Sequence, residues 1–216
     1  MAQNTIEVCS SCETSTVTQA VEKAQPFDTI LIKKGTYKEY NIGITKPLTI
    51  IGESNPVIDG ENKGEIITIQ SDSVTIQGLT VVNVGTSYTT DYAAIRVVKS
   101  ENFLIKNNTL ERLFFGIYLE KSNNGKVLNN SIQGDAVNEY NSGNGIQLWY
   151  CNNVEVANNE IRNVRDGIYL EFSDQIEITH NKSTNNLRYG LHFMFSNNDT
   201  YTNNLFENNG AGVAVM

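Results

Sequence analysis

The sequence predicts a single all-β domain, wound as a single-stranded right-handed parallel β-helix of about 22 residues per rung with an N-terminal capping helix. Three recurring residues carry the prediction. Glycine opens a short apolar strand at Gly116, Gly145, Gly167, Gly190 and Gly212, at intervals of 29, 22, 23 and 22 residues. Ser100, Ser122, Cys151, Ser173 and Ser196 return at 22, 29, 22 and 23, and Asn108, Asn130, Asn159, Asn181 and Asn204 keep the same spacing. Three residue types sharing one period and one insertion define a repeat. Within each repeat, as in Gly116-Ile117-Tyr118-Leu119-Glu120, apolar residues alternate. That is the period of a strand with one buried face. A second short strand follows, such as Val154-Glu155-Val156, and no length remains for a crossover helix. The dense leucine consensus of a leucine-rich repeat is missing. Asparagine suits the turns because it tolerates left-handed backbone angles and its amide can bond to the same amide one rung away.

Residues 1–26 read as an N-terminal segment and cap, and residues 27–216 as the coil. Val17, Ala20, Val21 and Ala24 follow helical spacing, and Thr16 with Gln19 forms a capping box. This helix covers a strand edge that would otherwise invite pairing with another chain. Asp28 to Ile32 opens the sheet, Gly35-Thr36-Tyr37 turns it, and Pro47 to Gly52 and Ile66 to Ile69 add rungs. Six or seven rungs are expected. The polar start Met1-Ala2-Gln3-Asn4 reads as a mature terminus with an initiator methionine added. Gly212 to Met216 reads as the first strand of an unfinished rung, so a longer protein is expected, with Val213 and Val215 uncovered.

Composition limits the partners. A net charge of −8 over 216 residues counts against nucleic acid as a partner, since phosphate binding wants a basic face. No apolar run reaches the length of a membrane span.

The chemistry lies on the outward positions. Aligning the glycine-led strands gives one outward column of Tyr118, Gln147, Tyr169, His192 and Ala214, and a second of Glu120, Trp149, Glu171, Met194 and Met216. His192 and Met194 therefore leave one strand on the same side, with Met216 one rung above Met194. Imidazole and thioether together suit Cu(I); the plainer reading is a surface histidine beside packed methionines. Cys9-Ser10-Ser11-Cys12 precedes the capping helix and is either a second metal or redox site or a structural disulfide. Cys151 reads as a small packed residue and His180 as a turn residue. Arg165 and Arg188 stack one rung apart and need an anion between them, for which Asp166 is the candidate; alternatively they dock an acidic partner. The competing class is a carbohydrate-binding or polysaccharide-degrading protein. Glu120 and Glu171 lie two rungs apart, about 9.6 Å, near the upper limit for an inverting pair. Tyr118, Trp149 and Tyr169 could stack on sugars. Trp149, however, stands between the glutamates, and the acidic clusters of galacturonases and pectate lyases are missing. A non-enzymatic role is expected.

Gly143 to Trp149, Arg165 to Tyr169 and above all Leu187-Arg188-Tyr189-Gly190-Leu191-His192-Phe193-Met194-Phe195-Ser196-Asn197 resemble the NosD family, over a stretch running from about Phe27 to the last residue. The resemblance implies a periplasmic copper-handling protein that acts in maturation of nitrous oxide reductase. It also implies an ABC transporter, with ATPase and membrane subunits, and a lipoprotein copper chaperone as partners. The family's His-x-Met pair, with a methionine in the next rung, falls on His192, Met194 and Met216. Trp149, Arg165 and Arg188 are the candidates for contacting a partner.

Overall fold

Each column of the repeat becomes one line along a coil. In the computed structural model, which describes residues 4–216, three parallel sheets of nine, eight and eight strands run the length of the molecule. Each turn contributes one strand to each sheet, giving a right-handed solenoid of about nine turns. The expected six or seven rungs were too few. The early turns lack a glycine-led strand and vary in length, so the repeat count misses them. Met1 to Gln3, part of the polar start, lie outside the described residues.

The chain adds a strand before its helix. Thr5–Val8 pairs in parallel with Thr29–Ile32, and the helix Val17–Lys23 follows it. The Thr16 hydroxyl accepts from the Gln19 N–H at 3.2 Å, as a cap should. The reciprocal half of the capping box shifts by one residue, Gln19 Oε1 taking the Ser15 N–H at 3.4 Å. Glu39 accepts the next free donors, Val17 N at 2.7 Å and Thr18 N at 2.9 Å. Val17, Ala20 and Val21 are buried. Thr36–Lys38, expected to lie in a turn, is a strand paired with Val57–Asp59. The buried Tyr37 ring faces inward, and its hydroxyl donates to the carbonyls of Val8 and Lys33 at 3.0 and 2.8 Å.

The inward columns are as expected. Ile117, Ile146, Ile168 and Leu191 are fully buried, as are Leu119, Leu148 and Leu170, while Phe193 is nearly so. The strand register pairs them residue for residue. Glycine heads the strands because successive backbones meet there: a Cβ on Gly167 would lie 2.6 Å from the Gly190 carbonyl oxygen.

Asparagine does two jobs at adjacent positions. Asn107, Asn129, Asn158 and Asn203 hold left-handed φ of 55–57°, with His180 at 56° in the same column. The next residue in each turn is the buried ladder. Asn108, Asn130, Asn159 and Asn181 each donate through Nδ2 to Oδ1 of the following asparagine at 3.0–3.1 Å, ending on Asn204. Each also donates its backbone N–H to the same Oδ1 at 2.8–3.0 Å. The serine column does similar work: Ser100 N, Cys151 N and Ser173 N donate to the Oγ of Ser122, Ser173 and Ser196.

Candidate metal centre

The third sheet carries the candidate residues. Tyr189–Met194 pairs with Ile168–Glu171 beneath it and Ala211–Val215 above, setting His192 over Tyr169 and Met194 over Glu171. The Met216 N–H donates to the Phe193 carbonyl at 2.9 Å and the Phe195 N–H to the Met216 carbonyl at 3.0 Å. Met216 therefore stacks one turn above Met194, as expected. Val213 is half-buried, while Val215 and Met216 are exposed.

His192 departs from the expected surface histidine. It is 2% exposed, although its column faces outward. Tyr169 one turn below in the same column, with Asp166 and Tyr189 from the segments entering the strands, covers it. Tyr169 and Tyr189 meet the imidazole edge-on, at centroid distances of 4.6 and 4.8 Å. Asp166, fully buried, lies 3.3 Å through Oδ2 from His192 Nδ1. Arg188 clasps the same carboxylate, its Nε donating to Oδ1 at 3.0 Å and its Nη2 to Oδ2. These hydrogen bonds raise the arginine further above its ordinary range. The other ring nitrogen, His192 Nε2, is enclosed without any hydrogen-bond partner. A buried polar atom left bare in this way calls for an explanation.

The flanking groups favour a soft ligand. The Tyr169 hydroxyl donates to Met194 Sδ at 3.2 Å, and burial raises the pKa of that hydroxyl, which keeps it a donor. Cys151 is buried, and burial pushes its thiol up to about 12, so it packs as a thiol. Cys9 and Cys12 are joined in a disulfide, the structural alternative of the two expected. His180 is exposed in its turn. Among the described residues no three His, Cys, Asp or Glu side chains converge. The proposed donor set differs in kind, being one imidazole with thioethers.

The remaining candidates have local partners. Arg188 N donates to the Arg165 carbonyl at 2.9 Å, confirming the stacking one turn apart, and Arg165 Nε reaches Asn144 Oδ1 at 3.2 Å. Trp149 is half-buried with Lys121 Nζ 4.9 Å from its ring centroid. It lies between Glu120 and Glu171 in register, where a sugar would have to be cleaved, and Glu120 is 3.6 Å from Arg96 Nη1. One feature escaped the sequence reading: Tyr150, Phe172 and Phe195 form an exposed stack beside Met194, with centroids 4.8 and 5.2 Å apart. Their spacing equals that of Cys151, Ser173 and Ser196, so the period contained the signal.

Fold and face together define a parallel β-helix protein whose third sheet carries His192, Met194 and Met216 on one side. A rhamnogalacturonan lyase structure shares the fold at a TM-score of 0.68 and 15% identity, covering 97% of this chain and 62% of that one. At that identity the likeness is one of fold alone. Residues 128–216 match the family model for NosD, described as periplasmic copper-binding protein, which bears out the resemblance read from the glycine-led strands there. Two curated relatives are named probable ABC transporter binding protein NosD. The one from Pseudomonas aeruginosa is 34% identical over 129 residues, 59% of this chain, and that from Stutzerimonas stutzeri is 31% identical over 126 residues, 57% of this chain. The chain spans 30% and 29% of their lengths. Among the described residues no helix is long and apolar enough to cross a membrane.

Proposed function

We propose that this chain binds Cu(I) through His192 Nε2, Met194 Sδ and Met216 Sδ, and that it hands the ion on in the periplasm. The observation that carries the reading is the enclosed, partnerless Nε2 on the same strand and side as a thioether. Two residues along a strand span about 6.8 Å and one rung about 4.8 Å, gaps that flexible methionine side chains close. Met194 is half-buried and Met216 is 57% exposed, so the ion would enter and leave from the methionine side. Three protein donors leave a position open for exchange with a partner's ligand.

The names of the relatives support a link to an ABC transporter, and the family description supports copper binding in the periplasm; the wider role proposed here extends the family resemblance. The chain acts in maturation of the copper sites of nitrous oxide reductase, with an ABC transporter of ATPase and membrane subunits and a lipoprotein copper chaperone as partners. Trp149 stands two turns below Met194 in the same column and, with Arg165 and Arg188, forms the proposed partner-facing surface.

A Cu(I) titration against a competing chelator tests the site. His192→Ala and Met194→Leu should lose more affinity than the about 10–100-fold typical of changes outside the ligand set. A Cys9→Ser/Cys12→Ser double variant should bind like the parent. The reverse pattern would move the site to the N-terminal cap.

A further inference from the structure

Asp166 touches none of the three proposed copper donors' ligating atoms, yet it governs one of them. Both of its oxygens accept hydrogen bonds from Arg188, and the face of Oδ2 turned to the ring is an acceptor. The contact between Oδ2 and His192 Nδ1, 3.3 Å long, then requires the proton to sit on Nδ1. In the neutral imidazole that a metal needs, this leaves Nε2 with its lone pair and nothing to donate. Nε2 is the atom without a partner. The two observations agree: a bare Nε2–H would be a stranded donor, whereas a bare Nε2 lone pair is a ligand waiting.

We infer that Asp166 is a positioning residue that fixes the His192 tautomer and ring orientation so that Nε2 is presented to a soft metal ion, with Arg188 orienting the Asp166 carboxyl through two hydrogen bonds. The inference rests on the copper reading above and deepens it. The geometry matches the general rule that a ligating histidine gives its other N–H to a carboxylate. The clasp comes from three elements brought into register by the coil. Asp166 precedes the glycine of one turn, Arg188 stands two residues before the glycine of the next, and His192 lies two residues after that glycine. Tyr169 and Tyr189 on either edge of the ring limit its rotation.

The test is Asp166→Asn, with Arg188→Lys as the control. Asparagine keeps the shape but offers an N–H to Nδ1, which drives the ring proton to Nε2. The chain has only two histidines, so ring nitrogens of the ¹⁵N-labelled protein are readily assigned. In the copper-free parent, long-range ¹H–¹⁵N correlation should show the Nδ1–H tautomer for His192. Asp166→Asn should shift it towards Nε2–H and weaken Cu(I) binding about 10–100-fold. Arg188→Lys, which loosens the ion pair but keeps the carboxylate, should retain the Nδ1–H tautomer and most of the affinity. If the parent shows Nε2–H, or if Asp166→Asn changes neither tautomer nor affinity while His192→Ala abolishes binding, Asp166 has no such role and the copper site stands. If His192→Ala binds like the parent, the copper reading itself fails, and with it the metal-presenting role.

Discussion

Replacing Asn159 with alanine, beside a control at Asn158, separates the two uses of asparagine in this fold. The Asn159 side chain makes four buried hydrogen bonds. Its Oδ1 accepts from Asn130 N at 2.9 Å and Asn130 Nδ2 at 3.0 Å, and its Nδ2 donates to Val127 O at 2.9 Å and Asn181 Oδ1 at 3.0 Å. Asn130 Nδ2 keeps a second partner in the Ile105 carbonyl, and Asn181 Oδ1 keeps the Asn159 N–H. The Asn130 N–H is left bare. Three bonds at about 1 kcal/mol each, with about 1–3 kcal/mol for the stranded donor, give a loss of about 4–6 kcal/mol. Asn158 is exposed, and only its left-handed φ of 56° favours asparagine. Its replacement by alanine should cost about 1 kcal/mol. Urea unfolding followed by the strand circular dichroism signal measures both. Equal losses for the two variants would refute the ladder as a source of stability.

Three further outcomes follow from local geometry. Gly125 lies beneath the buried Phe103 ring, where a Cβ would come within 2.0 Å of it; Gly125→Ala should therefore destabilise the fold by about 1–3 kcal/mol in urea, and a loss under half a kcal/mol would contradict that packing. Burial pushes the Asp199 carboxyl up to about 6, although the Ile176 N–H donates to its Oδ1 at 2.8 Å, and its Oδ2 has no partner. An acid raised in the folded state favours the fold while protonated. The penalty is therefore absent below its unfolded value of 3.8, grows as pH rises through about 6, and is then constant. Asp199→Asn should be more stable than the parent by about 1–2 kcal/mol at neutral pH, allowing for partial exposure, and the gain should vanish in acid. Reducing the Cys9–Cys12 disulfide, which closes a very short loop, should cost at most about 2 kcal/mol in urea and leave copper affinity unchanged; a loss of copper on reduction or alkylation would implicate the cap.

The coil was legible because its columns are one-dimensional. Burial of Ile117, Ile146, Ile168 and Leu191 follows from alternation, and the Asn108 to Asn204 ladder follows from spacing. Less regular parts were not. Thr5–Val8 has no glycine and no partner in phase, so only the pairing with Thr29–Ile32 reveals it as a strand. Tyr37 lies two residues after Gly35, in what reads as a turn, yet burying its ring with two hydrogen bonds favours the strand. The position of His192 beside Met194 was readable from strand phase, and so was Asp166 as the partner of Arg188. The burial of His192 was not, because it depends on tyrosines and a carboxylate covering an outward face. Periodicity along a strand records which side a residue leaves from, and says nothing of what later covers it.

The central claim is that one imidazole and two thioethers hold the ion. X-ray absorption at the copper edge of the Cu(I)-loaded chain reads this donor set directly. The proposed site predicts one imidazole nitrogen and two sulfur neighbours, with the imidazole signature lost in His192→Ala and one sulfur lost in Met194→Leu. A first shell of two sulfurs without imidazole, unchanged in both variants, would contradict it.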